Sequence, residues 1–197
     1  MKSLMTYCLP LTMLFLGSAA TILFAEPPPD NPRVRAVAAI TELSEHVKDR
    51  DVAERAKKIV DEHDSCNISN FFRLKRVGGF GIGKLAKADN QNSVESLVLQ
   101  LTRRKDMTEQ ELDEKQADYV RVAKGLQAMA ALAPFRGPEF TRNVEMREKA
   151  WADVSVEFKK VTADFRRAIE ERDPKKLRLE ATRLNQTCNN CHVLRDS

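Results

Sequence analysis

Near the end of the chain, Cys188 and Cys191 stand three residues apart and His192 follows at once, within the run TCNNCHVLR from Thr187 to Arg195. Two thiols and an imidazole are residue types that hold metals, exchange disulfides or anchor a cofactor. On a helix, positions i, i+3 and i+4 share one face, so this spacing presents all three groups to one object. Three chemistries use such a set. Covalent haem attachment needs two thiols for two vinyl groups and an imidazole for the iron. A structural zinc site needs four ligands, and a His63–Cys66 pair would complete a Cys2His2 set. A dithiol redox pair sits at a helix start in an α/β pattern, whereas this pair lies near a helix end.

The residues around the motif specify helices. Leu177, Ala181, Leu184, Cys188 and Cys191 form an apolar seam that reaches both cysteines in phase, so a large apolar macrocycle held there would face a bundle interior. Before it, Trp151, Val154, Phe158, Val161, Phe165 and Ala168 form a heptad seam that stops ahead of Asp173-Pro174, where proline suits a first helical residue. Thr108 and Glu111 form a capping box opening a helix with Leu112, Tyr119, Val122, Leu126, Met129 and Ala133 on one side, ended by Pro134 and Pro138. Val94–Leu101 predicts a short helix. Upstream, Val34, Val37, Ile40, Leu43 and Val47 make one stripe and Val52, Ala56, Ile59, His63 and Cys66 a second, separated by Lys48–Asp51. No alternating strand pattern of useful length occurs. The expected fold is all-α: an antiparallel four-helix-type bundle with an extra N-terminal helical hairpin and a Gly-rich loop.

Composition agrees. Of 197 residues, 31% are charged, 42% hydrophobic and only 7 are glycine, a balance that favours helices over sheets. The formal charge of +4 is too mild to argue for nucleic acid. The N-terminus has Lys2, an apolar core from Leu9 to Leu16, and small residues leading to Ala25, the pattern of a secretory signal. Leu4–Ala25 contains no charge and is long enough to remain as a membrane anchor. The expected organisation is residues 1–25 as signal peptide or uncleaved anchor, 26–32 as a Pro-rich linker, and 33–197 as one helical domain, periplasmic or otherwise extracytoplasmic. Three cysteines beyond Cys8 suit an oxidising compartment poorly as a disulfide framework, but well if a cofactor consumes two. Cys66 then reads as a small buried hydrophobe, or as a thiol able to pair two chains.

Two further features carry less. VGGFGIGK, residues 77–84, contains the GxxxxGK spacing of a phosphate-binding loop, but Leu85 replaces the magnesium-binding hydroxyl and no strand precedes it, so it reads as a packed loop. A shift of 122 residues places Arg50-Asp51 on Arg172-Asp173 and Ser65-Cys66-Asn67 on Thr187-Cys188-Asn189, the pattern expected of two duplicated helical hairpins. Ser69 and Asn70 stand where the second copy has Cys191 and His192, so the first copy lacks the means to hold haem.

On CNNCH, the penultimate-helix seam and the EERDPKKL corner, the C-terminal half, residues 108–197, resembles the class II c-type cytochromes, the cytochrome c′ group. The resemblance implies an exported four-helix bundle with one covalent haem c on its last helix, held by Cys188 and Cys191 with His192 as proximal iron ligand. It also implies a possible homodimer. The chain departs from the family after the histidine, where Arg195 comes at the third position and Ser197 ends the chain, and in residues 33–105, which are not a simple first helix. The distal side is therefore read from the residues alone: His63, Phe71, Phe72 and Met129 are the candidates, with His46 at the edge of its stripe and Met107 and Met146 as further thioethers. A strong sixth ligand favours electron transfer and an empty apolar position favours a diatomic gas. The leading expectation is one-electron transfer with a redox partner protein. Binding of nitric oxide or carbon monoxide is the alternative, and a non-haem or zinc-stapled bundle the third reading. No Ser/His/Asp set or paired carboxylates occur, so no enzyme is expected.

Overall fold

The computed structural model describes residues 30–82, 92–137 and 143–196, and among these it is all-α, with no strand. Seven α-helices follow in order: α1 Pro32–Glu45, α2 Val52–Glu62, α3 Ser65–Ser69, α4 Val94–Arg103, α5 Glu109–Leu132, α6 Val144–Glu170 and α7 Pro174–Asp196. The signal and linker segments lie outside the described residues, apart from Asp30, Asn31 and Pro32. Pro32, read as linker, is instead the first residue of α1, with the Asn31 side chain accepting from the Arg33 N–H.

The helices α4–α7 form the bundle. α7 packs between α6 and α4, α6 packs on α5, and the α1–α2 hairpin covers the remaining side of α5. The heptad seams explain the α6–α7 contact. Val161, Phe165 and Ala168 meet Leu177, Ala181 and Leu184 in full burial, and each buried Leu contributes roughly 2 kcal/mol. Across the same junction the Arg183 guanidinium bonds Glu157 at 3.0 Å and Asp164 at 3.4 Å on α6, and Glu180 at 2.8 Å on its own helix.

The corners are set by local chemistry. Thr108 and Glu111 form the reciprocal capping box at the start of α5, and Glu111 also takes Arg104 from the end of α4 at 3.0 Å. Arg172, in the left-handed region at φ 56°, ends α6. Its N–H reaches the Ile169 carbonyl and the Asp173 N–H the Ala168 carbonyl, the paired bonds of a Schellman stop. Asp173 then caps α7 by accepting from the Lys176 N–H at 2.9 Å.

One stripe is broken. His63 and Cys66 do not continue α2, which ends at Glu62 with His63 in extended conformation as its cap. Asp64 then starts α3, its carboxylate accepting from the Asn67 N–H at 2.8 Å. Cys66 is therefore exposed, not the buried hydrophobe expected from periodicity. α1 and α2 are consecutive helices in contact, as α6 and α7 are, but Cys66 lies on a separate short helix whereas Cys188 lies within α7.

Candidate haem-attachment site

The CNNCH run lies wholly within α7. The apolar seam carries it inward: Leu177, Ala181 and Leu184 are fully buried, Thr187 is buried, and Cys188 packs against the core. Cys191 is half-buried and His192 is exposed. The three donors thus fan across the edge of the bundle, from core at Cys188 to solvent at His192.

Burial pushes the Cys188 thiol up to about 12, and the neighbouring Cys191 and the Glu95 carboxylate of α4 add to the effect. Burial alone raises Cys191. A low dielectric disfavours the thiolate, and it is the thiolate that attacks disulfides and binds metals. Both thiols are accordingly poor redox nucleophiles. A thioether carries no charge, so conversion of the thiols to thioethers suits this environment.

Zinc fails on geometry. Among the described residues no three His, Cys, Asp or Glu side chains gather as ligands of a metal ion. His63 and Cys66 stay on the α2–α3 side, packed on α5 and α1, while α7 packs on α6 and α4. They do not join Cys188 and Cys191, and the Cys2His2 reading falls. Cys188, Cys191 and His192 likewise do not converge on one ion-sized point. Two thioether anchors and an axial imidazole need no such convergence, because a macrocycle spans the gaps, so the donor set fits a haem.

The distal candidates are dispersed. His63 is half-buried at the end of α2 and its N–H bonds the Ile59 carbonyl. Phe71 is fully buried, edge-on to Phe72 at 5.3 Å and tilted by 36° against Phe80 at 4.7 Å, and the Phe80 ring also takes Arg121 at 4.3 Å. Phe71 lies so close to Gly125 of α5 that a Cβ there would come within 2.6 Å of its ring. This cluster fastens the segment after α3 to α5. Met129 is a core residue of α5, Met107 is half-buried, and Met146 is 65% exposed. His46 bonds Asp49 at 2.8 Å in the exposed α1–α2 turn. Besides α6, the element that packs on α7 is α4, and its buried face is Val94, Leu97, Val98 and Leu101. That aliphatic wall was missed in the sequence because nothing in a ten-residue helix says which neighbour it meets.

The glycine loop offers no anion cradle in its described part. The N–H groups of Gly78, Gly79, Phe80 and Ile82 bond the carbonyls of Lys75, Leu74, Phe71 and Asn92, and phosphate binding requires such groups to point outward. Gly83–Leu85 lie outside the described residues.

Comparison of the chain with protein-family models, with curated proteins and with solved structures finds no match. Among the described residues no helix is long and apolar enough to cross a membrane.

Proposed function

We propose that the chain is an exported c-type haem protein of the class II kind, with one haem c bound covalently through Cys188 and Cys191, His192 on the iron, and a role in one-electron transfer. One observation carries the reading: CNNCH lies at the end of the apolar seam of the last helix of a helical bundle, with Cys188 packed against the core and Cys191 half-buried. Bound there, the cofactor supplies a ferric/ferrous couple. The chain supplies the rest. Leu184 and the aliphatic residues of α4 exclude water from one side, Cys188 and Cys191 fix orientation, and the exposed His192 side keeps a route to solvent and to a partner.

The test is expression in a host competent for haem c maturation, followed by absorption spectra and intact mass. A covalent haem per chain is the expected result, lost in Cys188→Ala/Cys191→Ala. A wild-type chain that emerges from that host without covalent haem overturns the reading.

A second reading is binding of a diatomic gas, which needs an apolar position without a sixth ligand; Val94, Leu97, Val98 and Leu101 of α4 offer no iron ligand, whereas the Glu95 carboxylate of the same helix lies within electrostatic reach of Cys188. Ferrous spectra with and without carbon monoxide separate the two roles, since sharp low-spin bands indifferent to the gas leave electron transfer alone.

A further inference from the structure

We propose that the end of the bundle carrying Cys188–His192 is seated on a lipid bilayer. Several chain ends meet there. α5 finishes and α6 begins at this end, tied by the Trp151 indole N–H to the Ala133 carbonyl at 3.0 Å with the ring beside Gly137. α7 runs antiparallel to α6, as the Arg183–Glu157 pair requires, and so finishes here too.

Apolar side chains collect at the same end. Among the described residues seven large apolar side chains are exposed, and four of them are Phe135 (39%), Val144 (43%), Met146 (65%) and Val193 (66%). They stand on the end of α5, the start of α6 and the end of α7. Such a set in water marks an interaction surface.

The start of α1 identifies what covers it. Glu45, at the far end of α1, pairs with Lys124, which lies about 18 Å down α5 from Arg136 at 1.5 Å per residue. Arg136 in turn holds α3 through the Ser65 carbonyl at 3.1 Å and the Ser69 hydroxyl at 3.2 Å, and α3 packs on α1. A 14-residue helix spans about 21 Å, so Pro32 returns to the level of Arg136. The chain before it is Leu4–Ala25, apolar and uncharged, then the six residues Glu26–Asn31. Six extended residues reach at most about 20 Å. Retained as an anchor, Leu4–Ala25 would hold this end of the bundle at the membrane surface.

Charge is mixed at this end: the first turn of α1 carries Arg33 and Arg35 and no acid, and Glu26 and Asp30 precede it. At the start of α6, Glu145 and Glu148 are balanced by Arg147 and Lys149. The seat requires no haem. Combined with the haem reading above, on which this consequence rests, it makes the redox partner a membrane protein.

The full chain, purified from membranes and placed in nanodiscs of phosphatidylglycerol and phosphatidylcholine, is followed by hydrogen–deuterium exchange. Amides of residues 133–137 and 143–150 are expected to exchange at least ~5-fold more slowly than in Met146→Glu/Val193→Glu. Both sites are exposed, so the variant folds. The opposite corner, residues 103–108, stays unchanged. Equal exchange in wild type and Met146→Glu/Val193→Glu overturns the proposal and leaves the patch to a protein partner; so does a mature mass lacking residues 1–25. Protection with no covalent haem in the same sample overturns the haem reading and not the seat.

Discussion

The protonated state of Cys188 yields a measurable rate. In the haem-free chain its thiol is pushed up to about 12, so at pH 8 roughly one molecule in 10⁴ is a thiolate, against roughly one in ten for a thiol at the ordinary value of 9.0. That is a deficit of about three orders of magnitude. A more basic thiolate is also more nucleophilic, which returns about 30-fold over this span. Alkylation of Cys188 by iodoacetamide is therefore expected to run at least ~30-fold slower than that of exposed Cys66, with burial slowing it further. Peptide mass spectrometry of a time course at pH 8 reads both sites at once. Labelling of Cys188 within fivefold of Cys66 in the folded chain would refute the claim that the α7 seam carries Cys188 into the core.

The same thiol makes the haem-free fold sensitive to alkali. The folded thiol keeps its proton to about pH 12, whereas the unfolded one releases it near its ordinary value of 9.0. Between those values the unfolded state binds fewer protons, so stability is fully present below about pH 9 and falls as pH rises, by at most ~1.4 kcal/mol per unit. Urea midpoints at pH 8 and 10.5 measure it. Once Cys188 is a thioether it has no proton to lose, and its share of the alkaline loss is expected to vanish in the haem-bearing chain.

Three stability changes follow from the packing. Gly125→Ala drives a methyl to within 2.6 Å of Phe71, an overpacking cost of about 1–3 kcal/mol that outweighs the ~1 kcal/mol gain in helix propensity; a net gain in thermal midpoint would show that Phe71 is free to move aside. Thr108→Ala removes half of the capping box and is expected to cost about 1 kcal/mol in urea unfolding, concentrated at the start of α5. Arg172→Gly relieves a left-handed non-glycine residue at φ 56° and gives up an exposed pair with Asp113 at 3.0 Å, for a net gain of about 0.5 kcal/mol; a loss above ~1 kcal/mol would mean that the ion pair holds the corner.

Much of this molecule was legible in one dimension, because helices answer to neighbours three and four residues away. The α5 capping box, the α6 and α7 seams, and the Asp173-Pro174 start of α7 all rest on contacts within a turn or two. The CNNCH face was legible for the same reason. The stripe from Val52 to Cys66 misled, because periodicity continued through a residue, Asp64, whose side chain starts a new helix.

The sequence by itself determined the all-α class, the chemistry of two thiols beside an imidazole, and the face on which they stand. Only the tertiary structure decided what that face meets. It put the aliphatic side of α4 against α7, kept His63 at the end of α2 beside α5 and Cys66 on α3 beside α1, turned Phe71 into packing over Gly125, and left His192 at the surface. Those outcomes depend on which helices share an interface, and an apolar stripe is satisfied equally well by several partners; volume, corner geometry and chain connectivity choose among them.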